Sequence, residues 1–133
     1  MAHHLSLVIL ADRLSVCRLS SPTPDLIQQI RGEFLAVIRT PDGLTLVCSE
    51  EFAPDQAKIE GGWRALKVEG LLEFSMTGVL AALAQPLAQA GVSIFAISTF
   101  DTDYILVKDA KLDAAVAALE LAGHQVQSPF HAR

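Results

Sequence analysis

At 133 residues the chain could make one average domain or two very small ones sharing a core. Apolar residues make up 51% and charged residues 19%, a balance that excludes disorder as the main state. Fifteen acidic and ten basic residues are scattered along the chain, giving a net charge of -5. With no Lys/Arg stripe to neutralise phosphates, nucleic acid is excluded as a partner.

In chain order, Leu5 to Ala11 is apolar but follows His3 and His4 rather than a basic segment and lacks a small-residue cleavage site. It therefore reads as a strand rather than a targeting segment. Leu14 to Leu19 predicts another strand. Thr23 is placed to cap a helix with Pro24 at its first position, running to Arg31 and stopped by Gly32. Strands Phe34 to Arg39 and Leu44 to Cys48 flank the turn Pro41-Asp42-Gly43, a hairpin signature. Ala53 to Ala57 reads as a vestigial second helix, and the boundary to the second half falls near Gly61-Gly62.

Beyond it, Arg64 to Val68 alternates as a half-buried strand ended by Gly70. Val79, Leu80, Leu83 and Leu87 recur at helical spacing, with Gly91 as a stop. Pro86 inside that helix withholds the N–H that the Ala82 carbonyl would accept, predicting a kink or a change of helix type. The longest apolar stretch, Val79 to Ala90, is broken by Gln85, Pro86 and Gln89 and falls short of the ~20 residues that cross a bilayer. No membrane is implied.

Both faces of the strand Val92 to Ser98 are apolar, which predicts a sheet covered on both sides, one of them by a second subunit. Thr99 to Asp103 is a tight polar connection into the strand Tyr104 to Val107. Asp109 can cap a helix whose stripe is Leu112, Ala115, Val116 and Leu119, ending at Gly123, and His124 to Gln127 makes an edge strand. The order β-α-β-β-α-β predicts an α+β, ferredoxin-like unit, an antiparallel sheet with helices on one face, and the first half reads as a diverged repeat of it.

The segment Ile94 to Val107, with Gly61-Gly62-Trp63-Arg64, Val68-Glu69-Gly70 and Thr77-Gly78-Val79-Leu80, resembles the ACT subfamily that includes the CASTOR-type arginine sensors and small bacterial tandem-ACT proteins. That resemblance covers Glu33 to Val126 well and earlier residues less. It implies two ACT units per chain, a diverged one over 1–62 and a second over 63–133. It further implies a ligand held at the junction between ACT units, and no catalysis. In the arginine sensors the equivalents of the Thr99-Phe100 backbone and of Asp103 receive the guanidinium, and a glycine-containing helix start helps to close the pocket. Met76 departs from the pattern, standing where those sensors are acidic.

Apart from the resemblance, Asp101 and Asp103 bring two carboxylates to the end of an apolar strand, where they suit a cationic group. Asp also favours turns for its own backbone bonds, so without the resemblance both read first as ordinary turn residues; with it, Asp103 reads as a ligand group and Asp101 stays open. Ser75, Met76, Thr77, Gly78 and Val79 lead into a helix whose first amides lack intrahelical partners, a seat for a carboxylate or a plain capped start. Amides opposite carboxylates match a free amino acid. The expected ligand site is therefore Ser75, Met76, Thr77, Gly78, Val79, Thr99, Phe100, Asp101 and Asp103.

His3, His4, His124 and His131 form no i, i+4 pair, so no metal is expected, and nothing calls for another cofactor. Cys17 and Cys48 lack a C-x-x-C spacing or a base and read as buried, inert residues in a reducing cytoplasm. Trp63 reads as core. No nucleophile, base and orienting group assemble, so the chain is expected not to be an enzyme. The sequence predicts a regulatory binding module: a homodimer taking an amino acid or similar small zwitterion and passing its signal to a regulated enzyme or other protein. Its alternative is a protein-interaction module that kept the fold without the ligand.

Overall fold

The computed structural model describes residues 3–20, 24–70 and 77–128. In chain order these form β1 (Ser6–Leu19), α1 (Pro24–Gln28), β2 (Leu35–Thr40), β3 (Gly43–Ser49), β4 (Lys58–Val68), α2 (Val79–Gln89), β5 (Ile94–Ser98), β6 (Asp103–Lys108), α3 (Leu112–Leu121) and β7 (Gln125–Gln127). Single 3-10 turns lie at Glu50–Phe52 and Asp109–Lys111. The chain divides into two compact units: a larger one of Met1–Ala11 with Arg64–Arg133, and a smaller one of Asp12–Trp63. The boundary read from sequence assigned 1–11 to the N-terminal half; by packing, that stretch belongs with the C-terminal residues.

In the larger unit the strands run in the order β7, β1, β4, β6, β5. Period-two alternation turns Leu66 and Val68 of β4, Ile105 and Val107 of β6, and Leu7 and Ile9 of β1 onto one face. There they bury against Leu83 and Leu87 of α2 and Ala115 and Leu119 of α3. Full burial of such aliphatic side chains stabilises by about 1.5–3 kcal/mol each, so this cluster holds the helices to the sheet.

Both helices stop by the same device. Val92 N–H donates to the Leu87 carbonyl at 2.9 Å and Gly91 N–H to that of Ala88 at 3.0 Å, and His124 and Gly123 repeat the pair on Leu119 and Glu120, both at 3.0 Å. This Schellman pattern places a left-handed residue just past the helix, and Gly123 meets the demand with φ of 100°.

Three expectations change. β7 was read as an antiparallel edge strand, but it pairs in parallel with β1, Ser6 opposite Gln125 and Val8 opposite Gln127. Ser6 is joined to β4 as well, its carbonyl accepting Glu69 N–H at 2.8 Å. Leu5 to Ala11 and Leu14 to Leu19 are one 14-residue strand, not two. Asp109 does not cap α3: it sits in the 3-10 turn and pairs with Arg64 at 3.2 Å.

The smaller unit has the order β2, β3, β1, β4, with antiparallel pairing of β1 to β3 and β2 to β3. Its core is Cys17, Leu19, Ile30, Leu44, Leu46 and Cys48. Helical cover is scant. α1 is five residues long and gives way to i, i+3 bonds from Gln29 to Leu26 and Ile30 to Ile27, both 3.2 Å, which tuck Ile30 into the core. Thr23 lies outside the described residues. The helix expected over 53–57 is absent. Pro54 biases Ala53 to extended backbone, and Ala53 has φ -62° and ψ 130°, so the 3-10 turn at Glu50–Phe52 ends there.

Candidate functional site

Thr99 organises the turn between β5 and β6. Its backbone N–H donates to the Thr102 carbonyl at 2.8 Å, and its Oγ1 accepts N–H groups of Asp101 and Thr102, both at 3.2 Å. Thr102 is buried and its hydroxyl donates to the Val68 carbonyl at 2.7 Å, fixing the turn to the end of β4. On this frame Asp101 is exposed, Asp103 is half-buried opposite Ser98, and Phe100 is 78% exposed. The two carboxylates thus flank a rigidly held turn. Sequence reading missed Thr102, which looks like any polar turn residue until its burial is seen.

At the start of α2, Gly78 is the N-cap residue with φ of 80°, and no side chain caps the helix. A side chain at Gly78 would be strained by that φ alone. Ala82 N–H makes the helical bond to the Gly78 carbonyl at 2.9 Å, so the first-turn amides before it remain orphan donors, as at any helix start. Val79 is buried and Thr77 exposed; Ser75 and Met76 lie outside the described residues. Thr77 accepts a hydrogen bond from His3 Nε2 at 2.8 Å. His3 and Gly78 line a cavity of ≈ 390 Å³ together with Gln85, Gln89 and His124. None of Thr99, Phe100, Asp101 or Asp103 is among the residues lining that cavity. The structure therefore groups Thr99, Asp101 and Asp103 in one turn, and Thr77 and Gly78 beside His3.

His124 explains how a proline is tolerated within α2. Leu5 N–H donates to His124 Nδ1 at 3.0 Å, so Nδ1 carries no proton; Nε2 does, and donates to the Ala82 carbonyl at 3.1 Å. That carbonyl is the one Pro86 leaves without its helical partner. His124 is 4% exposed with both ring nitrogens satisfied, which makes it a structural residue. His4 Nδ1 lies 3.1 Å from the Gly123 carbonyl, and a Cβ at Gly123 would come within 2.7 Å of the His4 ring. Three histidines thus stitch the N-terminal segment to the helices, and His131 lies outside the described residues. Among the described residues no group of three or more His, Cys, Asp or Glu could hold a metal ion.

Cys17 and Cys48 occupy adjacent strands, Cys17 opposite Leu46 and Cys48 opposite Ser15, and both are buried. Burial first and the neighbouring Cys48 second push the Cys17 thiol up to about 11; burial also raises Cys48. Neither is a nucleophile at neutral pH. Trp63 is buried, its indole N–H donating to the Glu60 carbonyl at 3.1 Å. No helix among the described residues is long and apolar enough to cross a membrane.

A paired hairpin whose turn is pinned to a neighbouring strand, with two helices packed on the same sheet, defines a small ferredoxin-like α+β module. The family model for the ACT domain matches residues 58–120. The human protein CASTOR3P is 30% identical over 95 residues, which are 62% of this chain and 58% of that protein, so the match spans little more than half of the relative. A solved protein from Agrobacterium tumefaciens, Atu0741, is 32% identical, with 96% of this chain and 95% of that chain covered at a TM-score of 0.87. The regulatory subunit of aspartate kinase from Thermus thermophilus shares the fold at 13% identity, TM-score 0.65, with 87% and 95% of the two chains covered. The chain is an ACT-domain protein related to the CASTOR-type sensors.

Proposed function

We propose that this protein is a stand-alone amino-acid sensor that regulates an enzyme or another protein in the cytoplasm and performs no chemistry itself. The observation that carries the reading is the Thr99–Asp103 turn, which presents Asp101 and Asp103 on a frame fixed by the buried Thr102–Val68 hydrogen bond. Those carboxylates suit an ammonium or guanidinium, for which a charge-assisted bond is worth about 1.5–3 kcal/mol. The uncapped start of α2 at Gly78 suits the ligand's carboxylate. Thr77, Val79, Thr99 and Phe100 complete the proposed wall, and Ser75 and Met76 are assigned to the site from the sequence alone. Met76 in place of an acidic residue disfavours arginine.

On this reading the chain carries two ACT-like units and pairs into a homodimer, and the ligand lies where ACT units meet. The support for two units is the strand order of the smaller one, β2, β3, β1, β4, which is the order of a β-α-β-β-α-β unit with its second helix reduced to a 3-10 turn. A thermal-shift panel of the common amino acids should raise Tm for at least one, because a ligand bound only by the native state adds RT ln(1 + [L]/Kd). No shift with any of them at millimolar concentration would sink the sensor. An interaction module without a ligand is the second reading, favoured by the exposure of Phe100 and of Leu121, which is 92% accessible.

A further inference from the structure

Residues 3–5 are fastened to the ends of both helices of the larger unit. His3 Nε2 meets the Thr77 carbonyl at 2.8 Å, and His4 Nδ1 meets the Gly123 carbonyl at 3.1 Å. Leu5 is gripped twice: its N–H donates to His124 Nδ1 at 3.0 Å, and its carbonyl accepts Gln125 N–H at 2.9 Å. His3 thereby lies over the start of α2, its ring 3.6 Å from where a Cβ on Gly78 would stand. Leu5 is only a partly buried neighbour of the core cluster, so this segment can leave without dismantling it.

Acid acts on these bonds unequally. A carbonyl only accepts, so His3 Nε2 and His4 Nδ1 already carry the protons of their rings, and a second proton on either ring leaves its bond in place. The bond from Gln125 N–H does not titrate. At His124 the second proton must go to Nδ1, the lone pair that takes the Leu5 N–H. Two N–H groups would then face each other at 3.0 Å around a residue that is 4% exposed, where water does not separate them. The ring does not yield on its other side. A cationic Nε2–H holds the Ala82 carbonyl more strongly than a neutral one, and Pro86 leaves that carbonyl no helical donor. Leu5 is the group that gives way.

Few other charges act on His124. Neither α2, nor β7, nor the part of β1 from Ser6 to Ala11 carries an ionisable side chain. α3 contributes Asp113 and Glu120, and the N-terminal segment contributes His4 and His3, which lines the same cavity as His124. The carboxylates favour the His124 cation and charged His3 and His4 oppose it, but none of them supplies an acceptor for the Leu5 N–H.

We infer that residues 3–5 form an acid-released strap: a second proton on His124 expels the Leu5 N–H, and the segment lets go of the start of α2 while the helices stay packed. Neither a ligand nor a second subunit is needed for this.

Amide hydrogen exchange of the full chain, followed by NMR, tests the strap. Between about pH 8 and about pH 5.5, where imidazoles take their second proton, protection of the Leu5 amide should fall about tenfold relative to that of Val92, which donates to a backbone carbonyl. Long-range nitrogen–proton correlations should show His124 passing from the Nε2–H form to the doubly protonated ring over the same interval. His124→Asn combined with Pro86→Ala keeps an acceptor oxygen near the Nδ1 position and gives the Ala82 carbonyl its helical donor, so Leu5 should stay protected throughout. His3→Gln combined with His4→Asn removes the other two rings and should leave the acid response in place. Leu5 keeping its protection down to about pH 5.5 overturns the inference, and so does equal loss of protection in wild type and the His124→Asn, Pro86→Ala variant. Should that variant not fold, different midpoints for Leu5 release and His124 protonation in wild type overturn it equally.

Discussion

The two units solve the same problem with different means. The larger one closes its sheet with two helices of 11 and 10 residues, each fixed by a Schellman stop, and buries eleven residues in one cluster. The smaller one has a five-residue helix and a single 3-10 turn over a cluster of six, two of them cysteines. What separates them is depth of cover rather than strand pattern. The unit with the deeper core can hold a turn rigidly enough to present charges, and the shallower one leaves an apolar edge in solvent.

That contrast can be broken at several points. Leu83→Ala in the larger unit should cost about 3–5 kcal/mol in urea unfolding, and Leu44→Ala in the smaller about 2–3, because a thin layer relaxes into a cavity more readily. Equal costs would remove the distinction. His124→Phe should cost about 2–4 kcal/mol, since it strands the Leu5 N–H and the Ala82 carbonyl in the interior. Pro86→Ala supplies the missing helical donor, so His124→Phe should cost about 1 kcal/mol less in that background. Strict additivity would show that the imidazole does not substitute for the proline's absent N–H.

Cys17 gives the smaller unit its own signature. Its thiol is raised to about 11 in the folded chain from an ordinary 9.0, so the neutral form is favoured by folding. Stability from this group is whole below pH 9 and is lost as pH rises through about 11. The loss is about 2–3 kcal/mol, and Cys17→Ala should flatten this part of the profile. An unchanged slope in the variant would place the alkaline sensitivity elsewhere.

Much of this was legible in the residues. The four-residue spacing of Val79, Leu83 and Leu87 and the terminal Gly91 and Gly123 encode local geometry, and the helices stand where they point. Pairing of Ser6 with Gln125 was not legible, because alternation specifies which face a strand buries and not which strand lies beside it. The same limit hid His124. Proline announced an orphan carbonyl at Ala82, but its donor comes from 42 residues away, beyond the reach of any local pattern. In the proposed site, turn chemistry marked Thr99 to Asp103 correctly as a turn, while the buried anchor Thr102 resembled its exposed neighbours.

Calorimetric titration of wild type and Asp103→Asn with the amino acid that gives the largest thermal shift tests the sensing assignment most directly. Asp103 is only half-buried, so the variant should fold with a stability change under about 0.5 kcal/mol. Its affinity should fall about 10- to 100-fold through loss of the charge-assisted bond. Equal affinity in the two proteins would contradict the assignment of the Thr99–Asp103 turn as the ligand's cation seat.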